Sequence, residues 1–82
     1  MARKPRRRQH PDLVAFGNRL RRLRYEADLT QERLAFEAGL ERSYVGQCER
    51  GERNVSLLNV VKLARAVRVR PAELLAEISE KA

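Results

Sequence analysis

Two glycines fix the scale on which this chain can fold. Gly39 and Gly51 each follow a short segment with apolar residues at helical spacing: Gln31 to Ala38 carries Leu34, Ala35 and Ala38 on one face, and Arg42 to about Arg50 carries Val45 and Cys48. Glycine accepts the left-handed backbone that ends a helix, so two short helices joined by a sharp turn are expected here. Thr30 is a suitable N-cap for the first of them. Upstream, Leu13, Phe16, Leu20 and Leu23 recur at three- and four-residue steps from Pro11 onward, with Arg19, Arg21 and Arg22 between them, the pattern of an amphipathic helix. Downstream, Ser56 can cap a fourth helix through Val67, and Pro71 suits the first position of a fifth, to about Ser79. With two Tyr, two Phe and no Trp in 82 residues, a mainly aliphatic helical core is expected over a sandwich or barrel, and the expected fold is all-α: a compact five-helix bundle.

Charge divides the chain into two parts. Arg3, Lys4, Arg6, Arg7 and Arg8 concentrate five positive charges in residues 1–10, while residues 11–82 hold thirteen basic against eleven acidic side chains. The first part, with Pro5 and no apolar periodicity, reads as a basic disordered arm, and the second as a single domain. Such an arm is drawn to a polyanion, nucleic acid above all. No apolar run approaches the roughly 18 residues of a membrane span, and the arginines are not followed by a signal-peptide core, so a cytoplasmic protein without membrane contact is expected. The lone Cys48 reads as a small core residue, and with His10 far away in sequence no metal-ligand set is seen. No nucleophile with a base, paired carboxylates or phosphate-cradling loop points to an enzyme or a cofactor.

A helical hairpin alone is weak evidence of function, and the individual residues carry more. Gln31, Leu34, Ala35, Gly39, Val45, Glu49 and Gly51, within TQERLAFEAGLERSYVGQCERGERNVSL, resemble the phage-repressor-like (lambda-repressor-type) helix-turn-helix family, and the resemblance runs from about Phe16 to Leu75. It implies that the helix from Arg42 enters the major groove of double-stranded DNA while the helix from Gln31 crosses the backbone. Arg42, Ser43, Gly46 and Gln47, opposite Val45 and Cys48, are then the positions facing bases: Arg42 suits guanine and Gln47 suits adenine. Tyr44 has two readings, a contact to DNA or packing over the neighbouring helix. Gly46, which costs a helix about 1 kcal/mol, fits close approach either to DNA or to the second helix. Gln31, at a helix N-terminus, is the expected phosphate clamp, joined by Arg50, Arg53 and Asn54 in the following loop. The family pattern also pairs Glu49 with an arginine late in the first helix, and Arg24 holds that place, which implies a structural ion pair.

One recognition helix touches few base pairs, so a second copy is expected. In the fourth helix Leu57, Val60, Leu63, Ala64 and Val67 can fill a core face, yet Leu58 and Val61 are apolar as well. With Leu75 and Ile78 they form the expected homodimer interface, which would set two recognition helices about 34 Å apart on a palindromic operator. The alternative for the fifth helix is that it closes the monomer's own core, through Leu74 most of all. The arm has two readings, reach into an adjacent minor groove or nonspecific affinity through phosphate neutralisation, and the second is expected. Within the family, LERSYVGQCERGERNVSLLNVVKLARAV is similar to the controller proteins of restriction-modification operons, which implies a transcriptional regulator; an antitoxin or protein-interaction module is the alternative. Arg68 and Arg70 depart from the family's usual Gly and small polar cap, which places the turn between the fourth and fifth helices in question.

Overall fold

The computed structural model describes residues 10–78, and the arm expected over residues 1–10 lies outside this range except for His10. Five helices follow one another: α1 (Pro11–Glu26), α2 (Gln31–Ala38), α3 (Arg42–Glu49), α4 (Leu57–Ala66) and α5 (Pro71–Leu74), with no strand among the described residues. Side-chain caps fix three of the starts. Thr30 accepts from the Arg33 amide at 3.0 Å, Ser56 from the Asn59 amide at 3.1 Å, and His10 Nδ1 from the Asp12 amide at 3.1 Å, each relieving one unpaired amide of a first turn.

Four helices end in one way. Behind each of α1 to α4 a residue takes the left-handed conformation, namely Asp28, Gly39, Gly51 and Arg68, with φ of 64°, 71°, 75° and 67°. At each, the next amide reaches back to the carbonyl five residues earlier: Leu29 to Arg24, Leu40 to Ala35, Glu52 to Gln47 and Val69 to Ala64, at 2.8 to 3.1 Å. This closure satisfies carbonyls the helix leaves open. At Arg68, where the sequence departs from the usual Gly, the turn is made nonetheless, by an arginine in a backbone region that costs a residue with a Cβ about 1–2 kcal/mol.

The core collects Phe16, Leu20 and Leu23 of α1, Leu34, Ala35 and Ala38 of α2, Val45 and Cys48 of α3, Val60, Leu63 and Ala64 of α4, Val67 behind it, and Leu74 of α5. Against α3, α1 comes so close at Gly17 that a Cβ there would sit 2.5 Å from the carbonyl oxygens of Cys48 and Glu49. Two expectations need correction. Leu57, assigned to the core, is 73% exposed. The fifth helix ends at Leu74 instead of Ser79: Arg70 supplies no side-chain cap, and the amides of Leu75, Ala76 and Ile78 bond to carbonyls three residues back, the tighter pattern of successive turns. Leu74 is fully buried, so α5 does close the monomer's own core. No described helix is long and apolar enough to cross a membrane, and the described residues hold no cluster of three or more metal-ligating side chains.

Candidate nucleic-acid interface

The start of α3 is presented by what lies behind it. Val45 and Cys48 are buried in the core, which turns Arg42 and Ser43 outward, both exposed and one residue apart at the helix N-terminus. The far end of α3 is fixed by Glu49, whose side chain is completely buried. Arg24 Nε donates to Glu49 Oε2 at 2.6 Å and Arg24 Nη2 to Oε1 at 3.1 Å, a two-pronged pairing across α1 and α3. Arg24 Nη1 donates further to the Leu29 carbonyl at 3.0 Å, so one guanidinium joins α1, α3 and the turn before α2. The Glu49 hydrogen bond pushes the Arg24 pKa above its ordinary value, against the lowering effect of burial. No buried side-chain nitrogen or oxygen among the described residues lacks a partner.

Gln31 joins the same group: its Nε2 donates to Glu49 Oε1 at 3.0 Å. One amide hydrogen is thus turned inward, and the second N–H of the same amide remains as a donor. Arg21 was not singled out from the sequence. Its Nη2 donates to the Glu49 carbonyl at 3.1 Å, its Nε stands 3.5 Å from Glu49 Oε1, and its side chain is still 39% exposed. It lines a groove of ≈ 560 Å³ together with Tyr25, Thr30, Gln31, Glu32 and Arg42. The signal in the sequence was the three-residue step from Arg21 to Arg24, which puts two cations on one face of α1.

On the other side of α3, Gln47 is half-buried, and its Oε1 accepts from Arg53 Nε at 2.8 Å. The Arg53 guanidinium carbon lies 5.3 Å from the centre of the Tyr44 ring. The Tyr44 hydroxyl accepts from Asn59 Nδ2 at 3.0 Å, so of its two readings the structure supports packing toward the neighbouring helix, α4. Gly46 needs a correction, because it is buried and does not share the open face of Arg42 and Ser43. A Cβ on it would stand 3.3 Å from Arg50 Nη1 and 3.7 Å from Gln31 Oε1, so its close neighbours are α2's amide and the loop arginine. Arg50 is exposed and donates to both carboxylate oxygens of Glu52, at 3.0 and 3.3 Å. Asn54 is exposed in the loop and borders a hollow formed by Leu13, Phe16, Val55, Val60, Leu75 and Ile78.

The residues expected at a dimer interface fall into two groups. Leu58 is 72% exposed and Leu75 41%, whereas Val61 is half-buried and Ile78 packs against the core. Leu57, displaced from its expected core role, adds a third large exposed side chain to the first group.

Two short helices, α2 and α3, joined by the left-handed turn at Gly39, with the start of α3 open and its end braced by the Arg24–Glu49 pair, form a helix-turn-helix. The chain matches the helix-turn-helix domain family over residues 15–78, and it belongs to that family. It is 46% identical over 63 residues to the control protein C.BamHI of Bacillus amyloliquefaciens, spanning 76% of this chain and 78% of that protein. With the control protein C.MunI of a Mycoplasma species it shares 39% identity over 69 residues, 83% of this chain and 93% of the other. Among solved structures, the restriction-modification controller protein C.AhdI from Aeromonas hydrophila superposes with a TM-score of 0.78 at 60% identity, covering 79% of this chain and 98% of that one.

Proposed function

We propose that this protein is a sequence-specific DNA-binding regulator of transcription, and that it controls a restriction-modification operon as a homodimer on a palindromic operator. The observation that carries the reading is the open, braced start of α3: Arg42 and Ser43 are exposed together where a helix entering the major groove meets base edges. In this reading Arg42 donates to guanine O6 and N7, Ser43 and Gln47 contact neighbouring bases, and Gln31, Arg50, Arg53 and Asn54 hold phosphates. The similarity to controller proteins on both sequence and structure supports the assignment to a restriction-modification operon.

A single α3 discriminates weakly, since a mismatched pair costs only about 1–3 kcal/mol. The exposed leucines supply the means to double it. Leu57 and Leu58 leave α4 at 73% and 72% exposure, and Val61 continues the same helix one turn further on. A two-fold contact through this face, with Leu75 and Ile78 at its edge, buries these side chains and fixes the separation of the two α3 helices.

The test is sedimentation of the full chain with and without DNA. A dimer at micromolar concentration that binds a two-half-site duplex as one cooperative unit is expected, and Leu58→Glu should give monomers with weakened operator binding. A monomeric wild type that binds each half-site independently and at full affinity would overturn the dimer; absence of any preferred duplex would overturn the regulator.

A further inference from the structure

Gln47 does not face the groove as an unrestrained amide. Its Oε1 accepts the Nε hydrogen of Arg53 at 2.8 Å, and the identity of that oxygen is settled by chemistry, because a guanidinium nitrogen only donates and so requires the carbonyl end of the amide. Arg53 is itself placed. Its guanidinium lies 5.3 Å from the centre of the Tyr44 ring, whose hydroxyl is tied to Asn59 Nδ2 at 3.0 Å. A chain of contacts thus runs from α4 through Asn59, Tyr44 and Arg53 to a side chain on the reading helix.

We propose that Arg53 sets the base preference of Gln47, turning it to guanine and away from adenine. The inference rests on the reading of α3 as the helix that enters the major groove. Residue type alone points Gln47 to adenine, which needs both ends of the amide: Nε2 donating to N7 and Oε1 accepting from the N6 amino group. Here the oxygen already serves a cation, and an amino group brought to it meets the positive charge of Arg53 at close range. What this leaves Gln47 for a base is the Nε2 donor. Guanine presents two adjacent acceptors, O6 and N7, and no donor at that edge, so donor and nearby cation both favour it; thymine offers a single acceptor and cytosine a donor. Arg53 keeps its Nη groups for a phosphate, so one residue links backbone contact to base choice. Arg53 is in this sense a positioning residue for specificity.

Selection of the full chain against random duplexes, run in parallel on wild type, Gln47→Ala and Arg53→Ala, tests this. The position whose preference disappears in Gln47→Ala should carry guanine in the wild type. In Arg53→Ala the advantage of guanine over adenine at that position should fall at least about fivefold or reverse, the smallest change that loss of a well-made base contact produces, while preferences elsewhere in the site persist. Any other base favoured by the wild type at that position, a Gln47→Ala variant with no changed position, or an Arg53→Ala variant that binds all duplexes more weakly with its preferences intact would overturn the inference and leave the regulator standing. A wild type that enriches no sequence would overturn the regulator, and this inference with it.

Discussion

Arg24→Ala tests the framework that holds α3 in place. The substitution removes two hydrogen bonds of 2.6 and 3.1 Å from a carboxylate whose side chain is fully buried, and a third of 3.0 Å from the Leu29 carbonyl. Gln31 and Arg21 stay within reach of Glu49, but a neutral amide and a half-exposed arginine 3.5 Å away do not replace a two-pronged guanidinium. Leaving one partner of a buried pair behind costs about 3–5 kcal/mol. A chain of this size has about 4–12 kcal/mol of total stability, so the loss is a large share of the whole. At about 4–8 °C per kcal/mol for a domain of this size, even the lower figure lowers Tm by about 12 °C or more. Thermal melting followed by circular dichroism measures it directly. The companion variant Arg24→Met with Glu49→Leu, which removes both charges and fills the space with apolar groups, should be less destabilised than Arg24→Ala. An Arg24→Ala domain that melts cooperatively within about 3 °C of the wild type would refute the reasoning, because that shift is under about 1 kcal/mol.

Three further outcomes follow from the packing. Gly17→Ala gains about 1 kcal/mol of helix propensity but forces a Cβ to within 2.5 Å of two α3 carbonyl oxygens, so denaturant unfolding should show a net loss; equal or greater stability would mean α1 and α3 lie further apart. Arg68→Gly relieves a left-handed residue with a Cβ and should raise stability by up to about 1 kcal/mol in the same assay; a loss would show that the Arg68 side chain contributes more than its backbone costs. Burial pushes the Cys48 thiol up to about 11, so at pH 8 it stays protonated and should react with a thiol reagent no faster than the domain opens; fast stoichiometric labelling of the folded chain would contradict this. Because the thiol of the unfolded chain ionises near the ordinary value of 9.0, this group's contribution is fully present below that pH and is lost as pH rises from there toward 11.

Much of the architecture is legible in the sequence, for reasons that can be named. Helix starts follow from side chains that cap, as at Thr30 and Ser56, and those signals are local. Gly39 and Gly51 announce their turns because glycine favours them, while Asp28 and Arg68 make the same turn without that advantage and leave no comparable mark. Gly17 lies hidden in an ordinary helical pattern, since only the crossing of α1 over α3 demands a residue without a Cβ there. Leu57 reads as core by periodicity, yet at the start of α4 it is left exposed beside Leu58; hydrophobicity alone does not distinguish a residue facing the core from one left exposed. At the candidate site, residue type marks Arg42, Ser43 and Gln47 as polar groups on α3. It does not show that the Gln47 oxygen accepts from Arg53, or that Arg21 stands beside Arg24 at Glu49, because both depend on side chains brought together by tertiary packing.

The central claim is that the chain reads duplex DNA through the first turn of α3, and Arg42→Ala tests it most directly. Arg42 is exposed at the helix start, so its loss should leave the fold intact. The measurement is the affinity of wild type and variant, at one fixed salt concentration, for a duplex carrying the selected operator and for one of the same composition with scrambled sequence. Loss of a guanine contact worth about 1–3 kcal/mol predicts binding to the operator about 5- to 150-fold weaker for each half-site engaged, with a much smaller change on the scrambled duplex. Equal weakening on both duplexes would reduce Arg42 to a phosphate contact, and unchanged binding to the operator would contradict the account of α3 as the reading helix.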